Sequence, residues 1–226
     1  MSLREQLLDL LFPPKCPFCG RVLDRPGICR GCEASLPWTE EKDSLWELSG
    51  RLRCVAPLWY EGTAREGILR FKFRNAPGAA DPLGGLIAQC AAERLSGEFD
   101  AVTWAPVSGR RLRQRGYDQA ELLAQSACRR WSTRPVRLLY KVKDTPAQSG
   151  LAGTAARREN VAGAYRAAGT ESIRGRRILL VDDICTTGAT LTECAGALLS
   201  AGAAGVVCAA AARTPPERVP PGQPMA

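Results

Sequence analysis

The sequence predicts an α/β protein in which helices flank a parallel β-sheet, with a small zinc ribbon at the N-terminus. Three observations support this prediction. Apolar runs typical of buried strands alternate with amphipathic segments over most of the chain. One of these runs, residues 178–181, ends directly in two aspartates. Near the N-terminus, four cysteines form two C-x2-C pairs that are separated by nine residues.

Residues 1–50 are expected to contain a short amphipathic helix followed by the ribbon. Each C-x2-C pair can form a tight turn, so Cys16, Cys19, Cys29 and Cys32 are expected to bind one tetrahedral zinc ion. Four thiolates leave no position for water, which favours a structural zinc over a catalytic one. The remaining cysteines lie mostly in apolar surroundings and are expected to be buried thiols: Cys54, Cys90, Cys128, Cys185, Cys194 and Cys208.

The remaining elements, in residues 51–213, alternate along the chain. Residues 53–62 predict a strand, and residues 63–74 predict a helix that begins with a capping box of Thr63 and Glu66. The pattern then predicts a helix at 84–95, a strand at 101–106, a helix at 119–131, strands at 136–140 and 177–182, a helix at 190–201 and a strand at 205–212. The tail, residues 214–226, is proline-rich and is expected to be disordered.

Composition narrows the possible functions. The 226 residues suffice for one α/β domain with a small appendage. A formal charge of +8 favours anionic partners, although a solvated basic surface would explain the same charge. Histidine is absent, which excludes a Ser–His triad and histidine metal ligands. Charged residues interrupt the first apolar stretch, so neither a signal peptide nor a membrane span is expected and a cytoplasmic location is predicted.

The strongest functional signal is the stretch ILLVDDICTTGAT, residues 178–190. Parallel sheets bind ligands beyond the carboxyl ends of their strands, which is where Asp182 and Asp183 are expected. Two adjacent carboxylates suit the two vicinal hydroxyls of a ribose, because each accepts a hydrogen bond. The loop that follows supplies hydroxyls, a glycine and amides leading into a helix, as a monophosphate site requires. The stretch therefore predicts a ribose 5-phosphate site.

Three other interpretations apply to the same stretch. An apolar strand ending in two aspartates also resembles a Walker B segment, but the chain lacks the G-x4-G-K-[ST] motif of a P-loop. The G-x-G-x-x-G motif of a dinucleotide-binding fold is absent as well. A purely structural aspartate pair would leave the threonine-rich loop unexplained.

Residues 178–190 resemble the signature of type I phosphoribosyltransferases, in which four hydrophobic residues precede two acidic residues and a phosphate loop. Two further blocks, residues 105–124 and 144–167, together with the four-cysteine ribbon, resemble the ComF family, which is associated with bacterial DNA uptake. The resemblance covers nearly the whole chain before the tail. It implies a type I phosphoribosyltransferase-like fold that uses phosphoribosyl pyrophosphate with magnesium.

The resemblance also assigns residues to roles. Asp182 and Asp183 would hold the ribose hydroxyls and, with Lys143, are the catalytic candidates. The 5'-phosphate would be held by Thr186, Thr187, Gly188, Ala189 and Thr190. Pyrophosphate would be held by Val107, Ser108, Gly109, Arg110 and Arg111. Residues 143–160 are expected to form a mobile lid, with contacts from Gln148, Arg157, Arg158 and Asn160.

The block at residues 115–124 is expected to shape the site from the start of a helix. Its candidate residues are Arg115, Tyr117 and Gln119, whereas Asp118 occupies a position where relatives are expected to have asparagine. No acceptor can be inferred, and residues 1–50 with their ribbon are the candidate cover for an acceptor site. Catalysis would then depend on positioning and electrostatics, without a covalent nucleophile.

Two functional hypotheses therefore remain open. One is a phosphoribosyltransferase of unknown acceptor; the other is a nucleotide-binding or DNA-import accessory module without transfer activity. A competence-associated DNA-import helicase is the expected partner from the family resemblance. Binding of single-stranded DNA has weak support, because the basic cluster lacks interleaved aromatic residues: Arg110, Arg111, Arg113 and Arg115.

Overall fold

A computed structural model describes residues 13–50, 52–74, 76–145 and 159–216. The predicted N-terminal helix and residues 217–226 of the predicted disordered tail lie outside the described residues. So does most of the predicted lid.

The described elements alternate broadly as the sequence pattern predicts. The helices are α1 (Arg30–Ser35), α2 (Gly62–Phe73), α3 (Ala80–Arg94), α4 (Gly109–Arg115), α5 (Gln119–Arg130) and α6 (Ala189–Ser200). The strands are β1 (Leu45–Ser49), β2 (Leu52–Val55), β3 (Leu58–Trp59), β4 (Ala101–Trp104), β5 (Leu139–Lys141), β6 (Tyr165–Ala167), β7 (Arg177–Cys185) and β8 (Gly205–Arg213).

The main sheet has the strand order β1-β2-β8-β7-β4, and β3 also pairs with β8. All of its pairings are parallel except that of β1 with β2. Strands β7 and β8 form the centre of the sheet, and residues 178–181 of β7 and 206–212 of β8 are buried, as expected for strands covered by helices on both faces. The carboxyl ends of β4 and β7 meet at one edge, because Trp104 pairs with Val181.

Helices α3 and α5 cover one face of the sheet and approach each other closely. A Cβ atom at Gly84 of α3 would lie 2.5 Å from Ser126 Cβ and 2.8 Å from the carbonyl oxygen of Leu123 in α5. Helix α6 packs on the opposite face, where Leu191 and Leu198 are buried with Ile178 of β7. These two layers fix the helices whose N-termini reach the carboxyl edge of the sheet.

An arginine clamp holds the N-terminal part of the chain against the end of β8. The guanidinium carbon of Arg213 lies 4.0 Å from the ring centroid of Trp46 and 4.9 Å from that of Trp59. The same side chain donates a 2.8 Å hydrogen bond to the carbonyl oxygen of Asp43. The cation–π contacts with both rings and this hydrogen bond connect β1 and β3 to the end of β8.

Several local predictions are wrong. Helix α2 begins at Gly62 after the N-cap residue Glu61, whose side chain makes no capping bond, so the capping box of Thr63 and Glu66 does not define its start. The strand predicted at 136–140 is reduced to β5, which pairs antiparallel with β6 in a separate two-stranded sheet. Strand β1 was not predicted, because its charged and serine residues interrupt the apolar pattern.

The six cysteines outside the ribbon are free and buried, as expected.

Candidate active site and four-cysteine centre

The four ribbon cysteines converge as their spacing predicts. The sulfur atoms of Cys16, Cys19, Cys29 and Cys32 all lie within 4.8 Å of one another, and those of Cys19 and Cys29 are 3.7 Å apart. A tetrahedral zinc ion with Zn–S bonds of about 2.3 Å separates its sulfur ligands by about 3.8 Å. The four thiols therefore fit a closed, structural zinc site.

The ribbon is anchored on helix α2 through the turn between its first two cysteines. Phe18, in that turn, is buried, and a Cβ atom at Gly67 of α2 would lie 2.5 Å from Phe18 Cδ1. The guanidinium of Arg70 donates to the carbonyl oxygen of Phe18. Glycine at position 67 therefore allows the ribbon to contact the backbone of α2 directly.

Asp182 and Asp183 lie at the floor of a cleft of about 960 Å³ at the carboxyl edge of the sheet. Strand β7 continues through Cys185, so both aspartates lie within its last residues. The amide of Asp183 donates a 2.7 Å hydrogen bond to Asp182 Oδ1. Burial raises the pKa of Asp182 well above its usual value, and the neighbouring charge of Asp183 raises it further, whereas Lys72 opposes the shift. Asp182 therefore holds a proton more readily than an isolated carboxyl group would.

The loop after the aspartates turns directly into helix α6. Gly188 has a φ of 73°, which strains any residue other than glycine, and a Cβ atom there would lie 2.6 Å from Leu48 Cδ2, so that Leu48 would have to move. The Ala189 amide lies 3.5 Å from Thr187 Oγ1, and the side of the loop that faces the cleft includes Thr186 and Thr190. Hydroxyls and the N-terminal amides of a twelve-residue helix thus lie together, as an anion site requires.

The turn after β4 lies across the cleft from this loop. Ser108 caps α4, and its hydroxyl accepts a hydrogen bond of 3.4 Å from the Arg111 amide. Arg110 forms an ion pair with Asp144 at 2.6 Å, while Arg111 donates a 3.0 Å hydrogen bond to the carbonyl oxygen of Thr145. Both arginines line the cleft. Their contacts hold them beside the segment that leads into the predicted lid.

Asp118 connects the turn after β4 to helix α5. Its Oδ2 accepts a 2.9 Å hydrogen bond from the Val107 amide, just before Gly109 begins α4. Its Oδ1 accepts from the amides of Ala120 and Glu121 at 3.1 and 3.3 Å. Both carboxylate oxygens are thus in use, whereas an asparagine would offer only one acceptor. Burial raises the pKa of Asp118 to about 6, although its amide donors act in the opposite direction.

The predicted lid lies largely outside the described residues, including Gln148, Arg157 and Arg158. Asn160 is in a short helical turn after this gap and is half-buried. The contacts of these four residues with an anion stay predictions.

Two lysines flank the start of the predicted lid. Lys143 Nζ donates a 3.1 Å hydrogen bond to the carbonyl oxygen of Ala162, and Lys143 is not among the described residues that line the cleft. Lys141 does line the cleft, with Nζ lying 5.0 Å from the ring centroid of Tyr165. Burial lowers the pKa of Lys141, and the charge of Arg111 lowers it further. A catalytic role for Lys143 stays a prediction, while Lys141 is a cleft cation that the sequence did not reveal.

A second cleft residue absent from the sequence-based candidates is Lys72. Its Nζ lies 3.0 Å from Asp183 Oδ2, and its side chain is only 19% exposed. The C-terminal part of α2 also brings Leu69 and Phe73 to the cleft. Tyr60, which precedes the start of α2, lines the cleft as well. A lysine in an amphipathic helix has the sequence pattern of an ordinary surface residue, so no motif could have identified it.

Among the residues of the 115–124 block, Arg115 lines the cleft. Its Nη1 donates a 2.8 Å hydrogen bond to Gln119 Oε1. The Tyr117 hydroxyl donates to the carbonyl oxygen of Phe71, and the two rings stack with their centroids 5.8 Å apart. Tyr117 therefore holds α2, and Gln119 orients Arg115.

The described residues before position 51 do not line the cleft. They reach its wall through the ribbon's contact with α2 and through Leu48 against Gly188.

Among the described residues, no helix is long and apolar enough to cross a membrane.

Comparison with known families gives two matches. The family described as phosphoribosyl transferase domain matches residues 112–224, and the family described as double zinc ribbon domain matches residues 7–42. The first match covers half of the chain and includes the aspartates and the threonine-rich loop. The second match includes all four ribbon cysteines.

Curated relatives come from several bacteria. Competence protein ComFC of Bacillus subtilis (strain 168) is 28% identical over 193 residues, which cover 85% of this chain and 74% of the relative. Competence protein F of Haemophilus influenzae is 38% identical over 97 residues, covering 42% of each chain. DNA utilization protein YhgH of Escherichia coli (strain K12) is 33% identical over 111 residues, covering 47% and 46%. The last two matches span less than half of those relatives' own length.

Two larger solved enzymes align with part of this chain. Glutamine phosphoribosylpyrophosphate amidotransferase from Bacillus subtilis aligns with a TM-score of 0.38 and 22% identity, covering 64% of this chain and 27% of that one. Phosphoribosylpyrophosphate synthetase from Mycobacterium smegmatis aligns with a TM-score of 0.36 and 18% identity, covering 58% and 33%.

Proposed function

Because this chain belongs to the phosphoribosyl transferase domain family, and within it to the ComF proteins, we propose that it binds phosphoribosyl pyrophosphate with magnesium and transfers the phosphoribosyl group. The observation that carries the proposal is the single cleft that contains the aspartate pair, the threonine-rich loop and the arginines after β4. Each of these three groups suits a different part of the ligand.

The ribose and its 5'-phosphate would occupy the β7 side of the cleft. The carboxylates of Asp182 and Asp183 accept hydrogen bonds from the two ribose hydroxyls. The loop from Thr186 to Thr190 donates to the phosphate through its hydroxyls and through the amides at the start of α6. Gly188 has a φ of 73°, a left-handed conformation that glycine adopts without strain and that lets the loop turn directly into α6.

Pyrophosphate would occupy the side of the cleft formed by Arg110 and Arg111, whose guanidinium groups suit phosphate oxygens. Magnesium is bound in proteins through one or two carboxylates and substrate phosphates, so Asp182 and Asp183 are suitable donors. When bound, magnesium neutralises charge on the phosphates. The arginines stabilise the negative charge that develops on the leaving pyrophosphate, and the aspartates stabilise positive charge on the ribose ring.

The decisive experiment is calorimetric titration of the zinc-loaded protein with phosphoribosyl pyrophosphate and magnesium. We expect saturable binding that is lost when Asp182→Asn and Asp183→Asn are combined. The matched control is Asp100→Asn, which removes an exposed carboxylate whose partner is Arg177, outside the cleft. Absence of binding by the unchanged protein would refute the proposal. Binding without release of pyrophosphate in any acceptor screen would instead support a nucleotide-sensing accessory module.

We further propose that this activity serves DNA uptake, because the relatives carry competence and DNA utilization names. The basic surface of α4 offers a contact for nucleic acid, since Arg110 and Arg113 are exposed. Single-stranded DNA bound by this surface would dissociate as salt rises, because phosphate contacts release counterions. Salt-independent affinity would contradict the electrostatic contact. A DNA-import helicase as partner stays a prediction, and pull-down of such a helicase with this protein would test it.

A further inference from the structure

The end of α2 gives the cleft a wall that differs from both phosphate sides. This α2 wall consists of Tyr60, Leu69, Lys72 and Phe73. It is apolar and aromatic except for Lys72, whereas the phosphate sides consist of loops rich in hydroxyls or arginines. Phe73 is 64% exposed, which is unusual for a large apolar side chain at the edge of a polar cleft. The α2 wall is therefore suited to a ligand with an apolar face.

Arg115 lies over the ring of Phe73 in the same part of the cleft. Its guanidinium carbon lies 5.0 Å from the Phe73 ring centroid, and Gln119 accepts a hydrogen bond from Nη1. Arg115 is only partly exposed, and it forms no ion pair within 4.0 Å with a carboxylate of the described residues. A fixed guanidinium without a carboxylate partner is suited to bind an anion from the cleft.

Lys72 places a second cation on this wall, next to the ribose site. Its ammonium group lies 3.0 Å from Asp183 Oδ2 in the structure. A ligand on the α2 wall would therefore lie beside the ribose carbon that undergoes substitution and would face Lys72 and Arg115. In the proposed function the two loops on the other sides bind the phosphates of phosphoribosyl pyrophosphate, and Lys72 is paired with Asp183, which leaves Arg115 for a different anionic group.

We propose that the α2 wall is the acceptor subsite and that it takes a planar aromatic acid carrying a nucleophilic nitrogen. The inference rests on the proposed function. The acceptor ring stacks on the exposed ring of Phe73, and its carboxylate binds Arg115 beside the ion pair of Lys72 with Asp183. The nitrogen lone pair forms the new C1'–N bond while the C1'–O bond breaks. The electron pair of the broken C1'–O bond leaves with pyrophosphate. The proton lost by the nitrogen passes to water.

Titration calorimetry with two matched probes tests this subsite in the full zinc-loaded chain. 4-Aminobenzoate carries the ring, the nitrogen and the carboxylate, whereas 4-aminobenzamide is a neutral molecule of nearly the same shape. In the presence of magnesium and ribose 5-phosphate, which cannot transfer, we expect the acid to bind at least tenfold more tightly than the amide. Equal affinities, or no binding of the acid, would overturn the proposal.

Two variants separate the ring contact from the charge contact. Phe73→Ala is expected to weaken both probes about fivefold, because the stacked ring is lost. Arg115→Gln is expected to remove most of the preference for the acid while leaving the amide nearly unchanged. Tyr140→Ala, which alters an exposed ring outside the cleft, is the control and is expected to change neither affinity. Unchanged binding of the acid by both cleft variants would refute the subsite.

Titration with phosphoribosyl pyrophosphate distinguishes the failure of this inference from the failure of the proposed function. If the unchanged protein binds phosphoribosyl pyrophosphate but not 4-aminobenzoate, only the acceptor subsite is wrong. If it binds neither, the proposed function fails as well. Single-stranded DNA could instead displace 4-aminobenzoate from the unchanged protein but not bind the Phe73→Ala variant. That result would assign the α2 wall to nucleic acid and would also overturn the proposal.

Discussion

Asp118 offers a sharp test of the electrostatics around the site. The substitution Asp118→Asn keeps the size of the side chain but removes its charge and one of its two acceptor oxygens. The carboxyl is only 6% exposed, and its pKa rises from 3.8 to about 6, chiefly because of burial. At about 1.4 kcal/mol for each pKa unit, this rise corresponds to about 3 kcal/mol.

The direction of the pH effect follows from the raised pKa. The folded protein holds this proton more tightly than the unfolded chain, so the carboxyl has no destabilising effect below pH 3.8 and its full effect above pH 6. The hydrogen bond lost in Asp118→Asn costs about 1 to 3 kcal/mol at every pH. The stability of the variant relative to the unchanged protein should therefore increase by about 2 kcal/mol between pH 4 and pH 7, because part of the total effect already acts at pH 4.

Urea denaturation of both proteins at several pH values measures this difference directly. Release of zinc at acidic pH affects both proteins alike and cancels in the comparison. Asp100→Asn is the control, because Asp100 is an exposed carboxylate whose removal should give no comparable rise. Parallel stability curves for Asp118→Asn and the unchanged protein between pH 4 and pH 7 would refute the reasoning about burial.

Two further predictions concern packing and metal. Gly84→Ala should lower the free energy of unfolding by about 1 to 2 kcal/mol, because its Cβ would lie 2.5 Å from Ser126 Cβ. Gly85→Ala is the control and should be neutral or stabilising, because the nearest neighbour of its Cβ is the flexible end of Arg130. Urea denaturation of both variants measures the difference, and equal effects would contradict the prediction. Removal of zinc by a chelator should speed hydrogen exchange in α2 and leave α6 unchanged, and unaltered exchange in α2 would show that the ribbon does not hold this helix.

Much of the site could be predicted because its chemistry is local in sequence. Asp182 and the loop that follows it are consecutive, so one stretch of residues contains the whole of the proposed ribose 5-phosphate site. The ribbon cysteines were equally accessible, since their spacing alone determines how the sulfur atoms meet. Placement of the aspartates in β7 agrees with the expected carboxyl edge of a parallel sheet.

The α2 wall could not be predicted, because it depends on long-range packing. Lys72 reaches Asp183 only because Tyr117 and the ribbon fix the end of α2. Asp118 shows the same limitation in another form. Its two oxygens accept from three amides at two separate turns, so its preference over asparagine is visible only once those amides are placed.

The contact between Gly67 and Phe18 has a consequence for engineering chimeric proteins. A ribbon transplanted from a relative would fit this scaffold only if the residue at position 18 and the residue at position 67 were exchanged together. A larger residue on α2 would push the grafted ribbon away and shift the end of the helix that carries Lys72 and Phe73. The two segments must therefore be inherited as one unit, although one matches a metal-binding module and the other lies at the wall of the cleft.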